Sequence, residues 1–283
     1  MKIPVLLFPC LGSLALAGLL AGVCGPRLLA QPVAEGARGF IEGRSYSLEE
    51  DRKILRLYEK LRVADVSDGL DMAGLANVGL VDPAIHALWK DTETFKHRFA
   101  GIAVTVRYVP TNKRQPTMTL EEFPKWEGRW YNQLSSEPFQ ALLREGSVVV
   151  IDAQGDGDTG TIGSNNILAW KAAGAVGVVT SAGARDTDEI IKQQVPLYFR
   201  GPGRGIRPGR NEVESVNRPV TLGGVLVRPG DVVVADGDGV VVVPRESAEV
   251  VAKAALEILE KDKAGRRSLY RKLGIPDDAT VVP

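Results

Sequence analysis

The chain has 283 residues, 44% hydrophobic and 25% charged, a balance that supports one sizeable globular domain and excludes disorder over most of its length. Lys and Arg number 35, as do Asp and Glu, so no basic excess points to nucleic acid as a partner. His86 and His97 are the only histidines, which argues against a multi-histidine metal site or a His-dependent triad.

The first 30 residues stand apart. Lys2 precedes an apolar run from Ile3 to Val23, and Leu28-Leu29-Ala30 precedes Gln31, the layout of a secretory signal peptide cleaved after Ala30. The mature chain is then expected in the periplasm or outside the cell, with no stable membrane span. A retained anchor is the main rival, because the apolar run is about long enough to cross a bilayer. Cys24 invites a lipoprotein reading, against which bulky Val23 counts. Cys10 and Cys24 are the only cysteines, so cleavage leaves no thiol for disulfides, zinc ligation or catalysis.

Residues 31–46 read as a linker and 47–283 as the folded domain. Ser47 with Glu50 forms a capping-box pattern, and Ile54, Leu55, Tyr58 and Leu61 recur at helical spacing. Val63 to Leu75 predicts a second short helix. Its Asp65, Asp68 and Asp71 lie near one another, where solvated or capping acids outweigh a cation site. Phe99 to Val106 is a buried-strand candidate and Pro110 to Thr117 a polar loop. Thr119 to Ser136 carries Trp126, Trp130 and Tyr131 as a helical aromatic cluster, more in keeping with packing than with a substrate lid. Glu137 to Arg144 predicts a helix.

Residues 152–186 are the organising stretch. An apolar run (Val148 to Ile151) enters a Gly/Asp-rich loop, a helix starts at Ser164, and a second apolar run (Val176 to Thr180) delivers Gly183-Ala184-Arg185-Asp186. If the two strands are parallel neighbours, helix-start N–H groups, a guanidinium and a carboxylate share one crevice at the strand ends, where open α/β sheets bind ligands. Gly155, Gly157 and Gly160 spell a dinucleotide fingerprint, but Asp156 and Asp158 would repel a pyrophosphate, and no acid follows at the ribose position. Ser164 is expected to be the N-cap, its hydroxyl accepting from the N–H of Asn166 or Ile167. Arg185 offers a planar fork for a carboxylate, and Asp186 can hold a hydrated divalent cation; a surface ion pair is the plainer alternative.

Thr187 to Gln194 predicts a helix, Pro196 to Phe199 a strand, and Gly201 to Arg210 a mobile basic loop. Short strand signals follow at Val220 to Leu222, Gly224 to Val227, Val232 to Ala235 and Val240 to Val243. Ser247 to Leu273 closes the chain as an amphipathic helix.

The run Gly163 to Ala175, then Gly177-Val178-Val179, Gly183-Ala184-Arg185-Asp186, and Gly223-Gly224-Val225 through Pro229-Gly230-Asp231-Val232 to Pro244 resembles the family of ribonuclease-activity-regulator-A-like proteins and 4-hydroxy-4-methyl-2-oxoglutarate aldolases. That resemblance implies an α/β swivelling β/β/α domain, with the strand-loop-helix-strand unit at its centre and a C-terminal helix. It also implies a homotrimer, in some members paired into a hexamer, with sites between subunits. The activity implied is a class II pyruvate aldolase using Mg²⁺ or Mn²⁺, cleaving 4-hydroxy-2-oxo acids to pyruvate or decarboxylating oxaloacetate. In that scheme Arg185 holds the keto-acid carboxylate, Asp186 supports the metal, and Gly163, Ser164, Asn165 and Asn166 grip the pyruvoyl end. Ser164 departs from the pattern, which usually places Asp or Glu there; Asp156, Asp158 or Asn165 are the candidate substitutes, and Glu260 and Asp262 the candidate counterparts of a neighbour's acid. The alternative is a binding protein that kept the fold after losing the acid at position 164.

Overall fold

The computed structural model describes residues 43–153, 155 and 157–282. The expected signal peptide and most of the linker lie outside the described residues, as does Asp156. In chain order the elements are α1 (Leu48–Tyr58), α2 (Val63–Met72), β1 (His86–Ala87), β2 (Phe99–Pro110), α3 (Phe123–Gln133), β3 (Ser147–Asp152), β4 (Gly160–Ile162), α4 (Ser164–Ala172), β5 (Ala175–Thr180) and β6 (Gly183–Ala184). After these come α5 (Thr187–Lys192), β7 (Leu197–Phe199), β8 (Gly201–Pro202), β9 (Asn211–Val216), β10 (Val220–Leu222), β11 (Val225–Val227), β12 (Val232–Asp236), β13 (Gly239–Val243) and α6 (Ala248–Leu273).

The main sheet runs β1-β7-β5-β3-β2-β12-β13. Strands β2, β3, β5 and β7 are parallel neighbours, as the strand-loop-helix-strand unit requires. Along one edge β2 is shared: its first residues pair with β12 and its last with β9, both antiparallel. Residues 79–81 bond to β13 through Val81 N to Val240 O (3.2 Å) and Val242 N to Gly79 O (2.9 Å). The chain then runs on to β1, which pairs with β7, so the sheet curls nearly closed.

Alternation along the strands sorts the core. On β3, Val148 and Val150 point into the curl with Tyr198, Val233, Val242 and the β10–β11 hairpin, whereas Val149 and Ile151 meet Ile167, Trp170 and Phe139 outside. A third cluster packs α1, α2 and α6 on Ile102, Val232, Val234 and Val241. The β-branched runs suit pleated surfaces covered on both faces, and each fully buried Val or Ile contributes about 1.5–3 kcal/mol. The α/β fold with its central unit and C-terminal helix is therefore the expected one.

Local expectations hold in part. Ser47 and Glu50 form the reciprocal capping box of α1. Asp65 is buried and bonds back to Arg62, the capping role, while Asp68 and Asp71 face solvent. Trp126 and Trp130 are buried on the body, with Trp130 Nε1 donating to Asn211 O at 2.9 Å, so the α3 excursion is packed in place. Two readings need correction. Glu137 to Arg144 contains only a 3-10 turn at Pro138–Leu142, too short to be the expected helix. The Gly201 to Arg210 segment is ordered, because β8 pairs with β6 and Arg207 is buried in an ion pair with Glu137. Strand β9 follows it unannounced, since its half-exposed Asn-Glu-Val-Glu-Ser-Val lacks an apolar run.

Candidate active site

Beyond the C-terminal ends of β3 and β5, a small parallel sheet of β4, β6 and β8 fixes two turns against each other. Arg185 N donates to Ile162 O at 2.9 Å, which seats the Arg185-Asp186 pair beside Gly163-Ser164. Asp186 adopts a left-handed conformation (φ 57°, ψ 38°), one that Asp tolerates better than most residues. That turn carries its carboxylate back to the head of α4, where Oδ2 accepts from Ser164 N at 3.0 Å and from Ser164 Oγ at 3.3 Å.

The capping expectation is therefore corrected. Gly163 is the N-cap residue of α4 and Ser164 the first helical one, so the hydroxyl cannot reach forward to Asn166 or Ile167. Asp186, 22 residues downstream, supplies the acceptor and places negative charge at the positive end of the helix. Gly163 allows the close approach. A Cβ there would meet Asp186 Oδ2 at 2.9 Å, Asn166 Oδ1 at 3.3 Å and Arg185 Nε at 3.6 Å.

Gly163, Ser164, Asn166, Arg185 and Asp186 thus come together, with Arg185 Nε 3.8 Å from Asp186 Oδ1. Asn165 stands apart as an exposed side chain, though its backbone N–H and that of Asn166 have no acceptor within the helix. Among the described residues, neither Asp158 nor the α6 carboxylates join them. Asp158 is held by Arg204, through its backbone N at 3.0 Å and its Nε at 2.7 Å, and these bonds hold its carboxyl below the usual range. Asp262 pairs with Arg62 at 3.2 Å, and Glu260 is exposed.

Behind the crevice lies a buried polar cluster that sequence reading missed. Glu137 accepts from Asn166 Nδ2 at 2.7 Å, Trp170 Nε1 at 2.9 Å and an Arg207 amino group at 2.6 Å. The Arg207 guanidinium also donates to Tyr108 Oη at 3.0 Å and lies 5.1 Å from the Tyr131 ring centroid. Burial raises the Tyr131 phenol, and the Arg207 and Arg185 guanidiniums pull it part-way back, so Tyr131 stays a neutral phenol beside Arg207. Nothing local in Gly201 to Arg210 marks Arg207 as buried; its partner is 70 residues away.

The resemblance noted above implies a divalent cation, and the residues present can be tested for a fit to one. Among the described residues no three His, Cys, Asp or Glu side chains gather into a metal cage. Among the described residues, however, Asp186 Oδ1 accepts no hydrogen bond; Arg185 Nε lies 3.8 Å away and the Asp186 side chain is 37% exposed. That suits a cation such as Mg²⁺, which keeps most of its waters and takes one or two carboxylates.

Residues 63–242 match the family model described as RraA-like: Aldolase/RraA. The chain belongs to the RraA-like family. An RraA-like relative from Thermus thermophilus, named 4-hydroxy-4-methyl-2-oxoglutarate aldolase, is 33% identical over 108 residues, 37% of this chain and 63% of that protein. Matches to relatives named for this aldolase span 58% to 64% of their length, so their whole activity does not carry over with the match. Among solved structures, an uncharacterised protein of Pseudomonas syringae pv. tomato DC3000 is 27% identical with a TM-score of 0.60, covering 80% of this chain and 94% of that one. Streptomyces coelicolor RraAS2, described as an unusual member of the RNase ES inhibitor RraA family, shares the fold at a TM-score of 0.60 and 24% identity, covering 76% of this chain and 96% of its own. No helix among the described residues is long and apolar enough to cross a membrane.

Proposed function

We propose that this RraA-like protein is a divalent-metal-dependent carbon–carbon lyase acting on small 2-oxo acids. The reading rests on one observation: Arg185 and Asp186 are clamped at the head of α4, beyond the ends of parallel strands. Arg185 binds the substrate carboxylate through its planar fork. The N–H groups of Asn165 and Asn166 face the 2-oxo end from the positive pole of the helix. Mg²⁺ or Mn²⁺ beside Asp186 would offset charge developing on the 2-oxo oxygen.

Two reactions lead to the same pyruvate enolate. Retro-aldol cleavage breaks the C3–C4 bond of a 4-hydroxy-2-oxo acid and must also remove the proton of the 4-hydroxyl. Decarboxylation of oxaloacetate breaks a C–C bond and releases CO₂ with no such proton to take. Ser164 provides no carboxylate base, so this chain favours decarboxylation. Purified residues 31–283 incubated with Mn²⁺ and either oxaloacetate or 4-hydroxy-4-methyl-2-oxoglutarate, with pyruvate read by a coupled assay, test the reading. Metal-dependent decarboxylation exceeding aldol cleavage is the expected result; no turnover above the chelated control refutes it.

A second reading is favoured by the Ser164 N–H bond to Asp186. Here the carboxylate caps the helix, and the protein is a non-catalytic binder on the same fold. It predicts that 2-oxo acids bind without turnover, which calorimetry on the same samples measures. Under either reading we place the mature protein outside the cytoplasm as a homotrimer. Light scattering at three chain masses supports the assembly, and a monomer at micromolar concentration opposes it.

A further inference from the structure

A cavity of about 670 Å³ opens at the other end of the sheet from Arg185. It is walled by the α1–α2 connection, the 95–100 segment, one face of α6 and the chain from Ala279 to Val282. Its floor includes Phe99 and Ala100 at the start of β2, whereas the crevice lies beyond the far end of β3, where Arg107 of β2 pairs with Asp152. Seven residues of strand, at about 3.3 Å each, put the two roughly 20 Å apart.

The lining is cationic. Lys60, Arg62, Arg98, Lys263 and Arg266 face it against one carboxylate, Glu59. The whole chain carries equal numbers of acidic and basic residues, so this excess is local. Arg62 is neutralised by Asp65 and Asp262. Lys263 and Arg266 donate to the carbonyls of Val282 (3.0 Å) and Thr280 (2.8 Å), and the Asp278 carboxylate offsets part of the Arg266 charge. Lys60 and Arg98 enter no ion pair among the described residues.

Aromatic surface stands beside the charge. The Arg98 guanidinium lies 3.6 Å from the Phe95 ring centroid, and Phe99 and Tyr270 complete a partly exposed aromatic wall. Phe95 is held at φ 55°, a left-handed conformation unusual for a bulky residue. The loop that holds it is tied down: the Asp91 carboxylate accepts from the backbone N–H of Glu93 (3.0 Å), Thr94 (3.1 Å) and Lys96 (3.2 Å). An off-preference backbone fixed by side-chain bonds, presenting an aromatic-stacked arginine to a cavity of ligand size, is what a preformed site requires.

The geometry points to a second ligand site in this cavity, for a small anion, phosphate or carboxylate, carried on a flat apolar body. Lys60 and Arg98 take the anion, and Phe95, Phe99 and Tyr270 pack on the body. This site is independent of the lyase reading, since it uses none of its residues.

Calorimetric titration of the full domain tests it with 1-naphthyl phosphate and 1-naphthoate, which distinguish the two anion sources, and with inorganic phosphate and neutral naphthylmethanol as controls. Expected is saturable one-site binding of at least one naphthyl anion. It should be tighter than both controls and weaker at 0.5 M salt than at 0.05 M. Lys60→Ala/Arg98→Ala, both at exposed positions, should weaken it at least about tenfold, and Arg185→Ala should leave it unchanged. Lys60→Glu, a single charge reversal, serves as a second variant should the double variant melt early. Absence of saturation below about 1 mM, equal affinity in the charge variants, loss in Arg185→Ala, or inorganic phosphate binding as tightly as naphthyl phosphate would each overturn the assignment.

Discussion

Gly163→Ala separates the chemistry of the crevice from the stability of the fold. The backbone at Gly163 is extended (φ −127°, ψ 169°), so alanine adopts it without strain, and the whole effect comes from the added methyl. That methyl would sit 2.9 Å from Asp186 Oδ2, the atom that accepts from Ser164 N at 3.0 Å. The carboxylate must retreat by about half an ångström, and the α4 cap weakens with it, costing about 1 kcal/mol. Replacing glycine by alanine at a compatible backbone returns about 0.4–1 kcal/mol by restricting the unfolded chain. The two nearly cancel, and the melting temperature should move by less than about 4 °C. Turnover behaves otherwise, because Asp186 and Arg185 both shift relative to substrate, and a misplacement on this scale lowers kcat by about 10- to 100-fold. Thermal unfolding together with the coupled pyruvate assay measures both. A stably folded Gly163→Ala protein within twofold of wild-type turnover would refute the placement of Asp186 at the reacting centre.

Ser164→Asp sets a second carboxylate beside Asp186, where like charges repel unless a cation lies between them; the variant should melt lower than wild type in chelator and gain more from Mg²⁺. Its aldol cleavage should rise about 10- to 10³-fold relative to decarboxylation, and an unchanged ratio would show that position 164 is not the missing base. Arg185→Lys keeps the charge but loses the fork, so KM for oxaloacetate should rise with kcat little changed. Burial pushes the Asp231 carboxyl up to about 6 despite the N–H bonds it accepts from Arg228 and Arg245. The folded protein therefore binds the proton more tightly than the unfolded chain, and this contribution to stability falls as pH rises from about 4 to 6 and is fully lost above that. Urea unfolding across that window should show stability changing with a more negative slope in the wild type than in Asp231→Asn. Mass spectrometry of the protein from a native-like host should find a mature chain beginning at Gln31; an intact Met1 on soluble cytoplasmic protein would end the export proposal.

The sequence disclosed the elements whose signal is local. Val148 to Ile151 and Val176 to Thr180 are apolar runs bounded by glycines, and the amphipathic stretch from Ser247 is long enough to be unmistakable. The Arg185-Asp186 pair was legible for the same reason, following a strand and a Gly. What stayed hidden depends on partners distant in the chain. The Asp186 carboxylate caps a helix that begins 22 residues earlier, and no local pattern distinguishes this from a serine cap. Arg207 sits in a run of Gly, Pro and Arg that reads as solvent-exposed until Glu137 and Tyr108 close over it. Strand β9 is specified by the pairing edge of β2 that β12 leaves open, a fact of topology rather than of composition.

The bond from Ser164 N to Asp186 has an evolutionary consequence. Because one carboxylate both completes the first turn of α4 and stands in the crevice, selection for folding alone retains it after catalysis is lost. Position 164 has no comparable hold, since its side chain makes a single long contact. On the proposed lyase reading, a change at position 164 would then alter or abolish the reaction while leaving the Arg-Asp pair in place. On that reading the residue at position 164, more than the pair itself, would set which reaction the crevice performs.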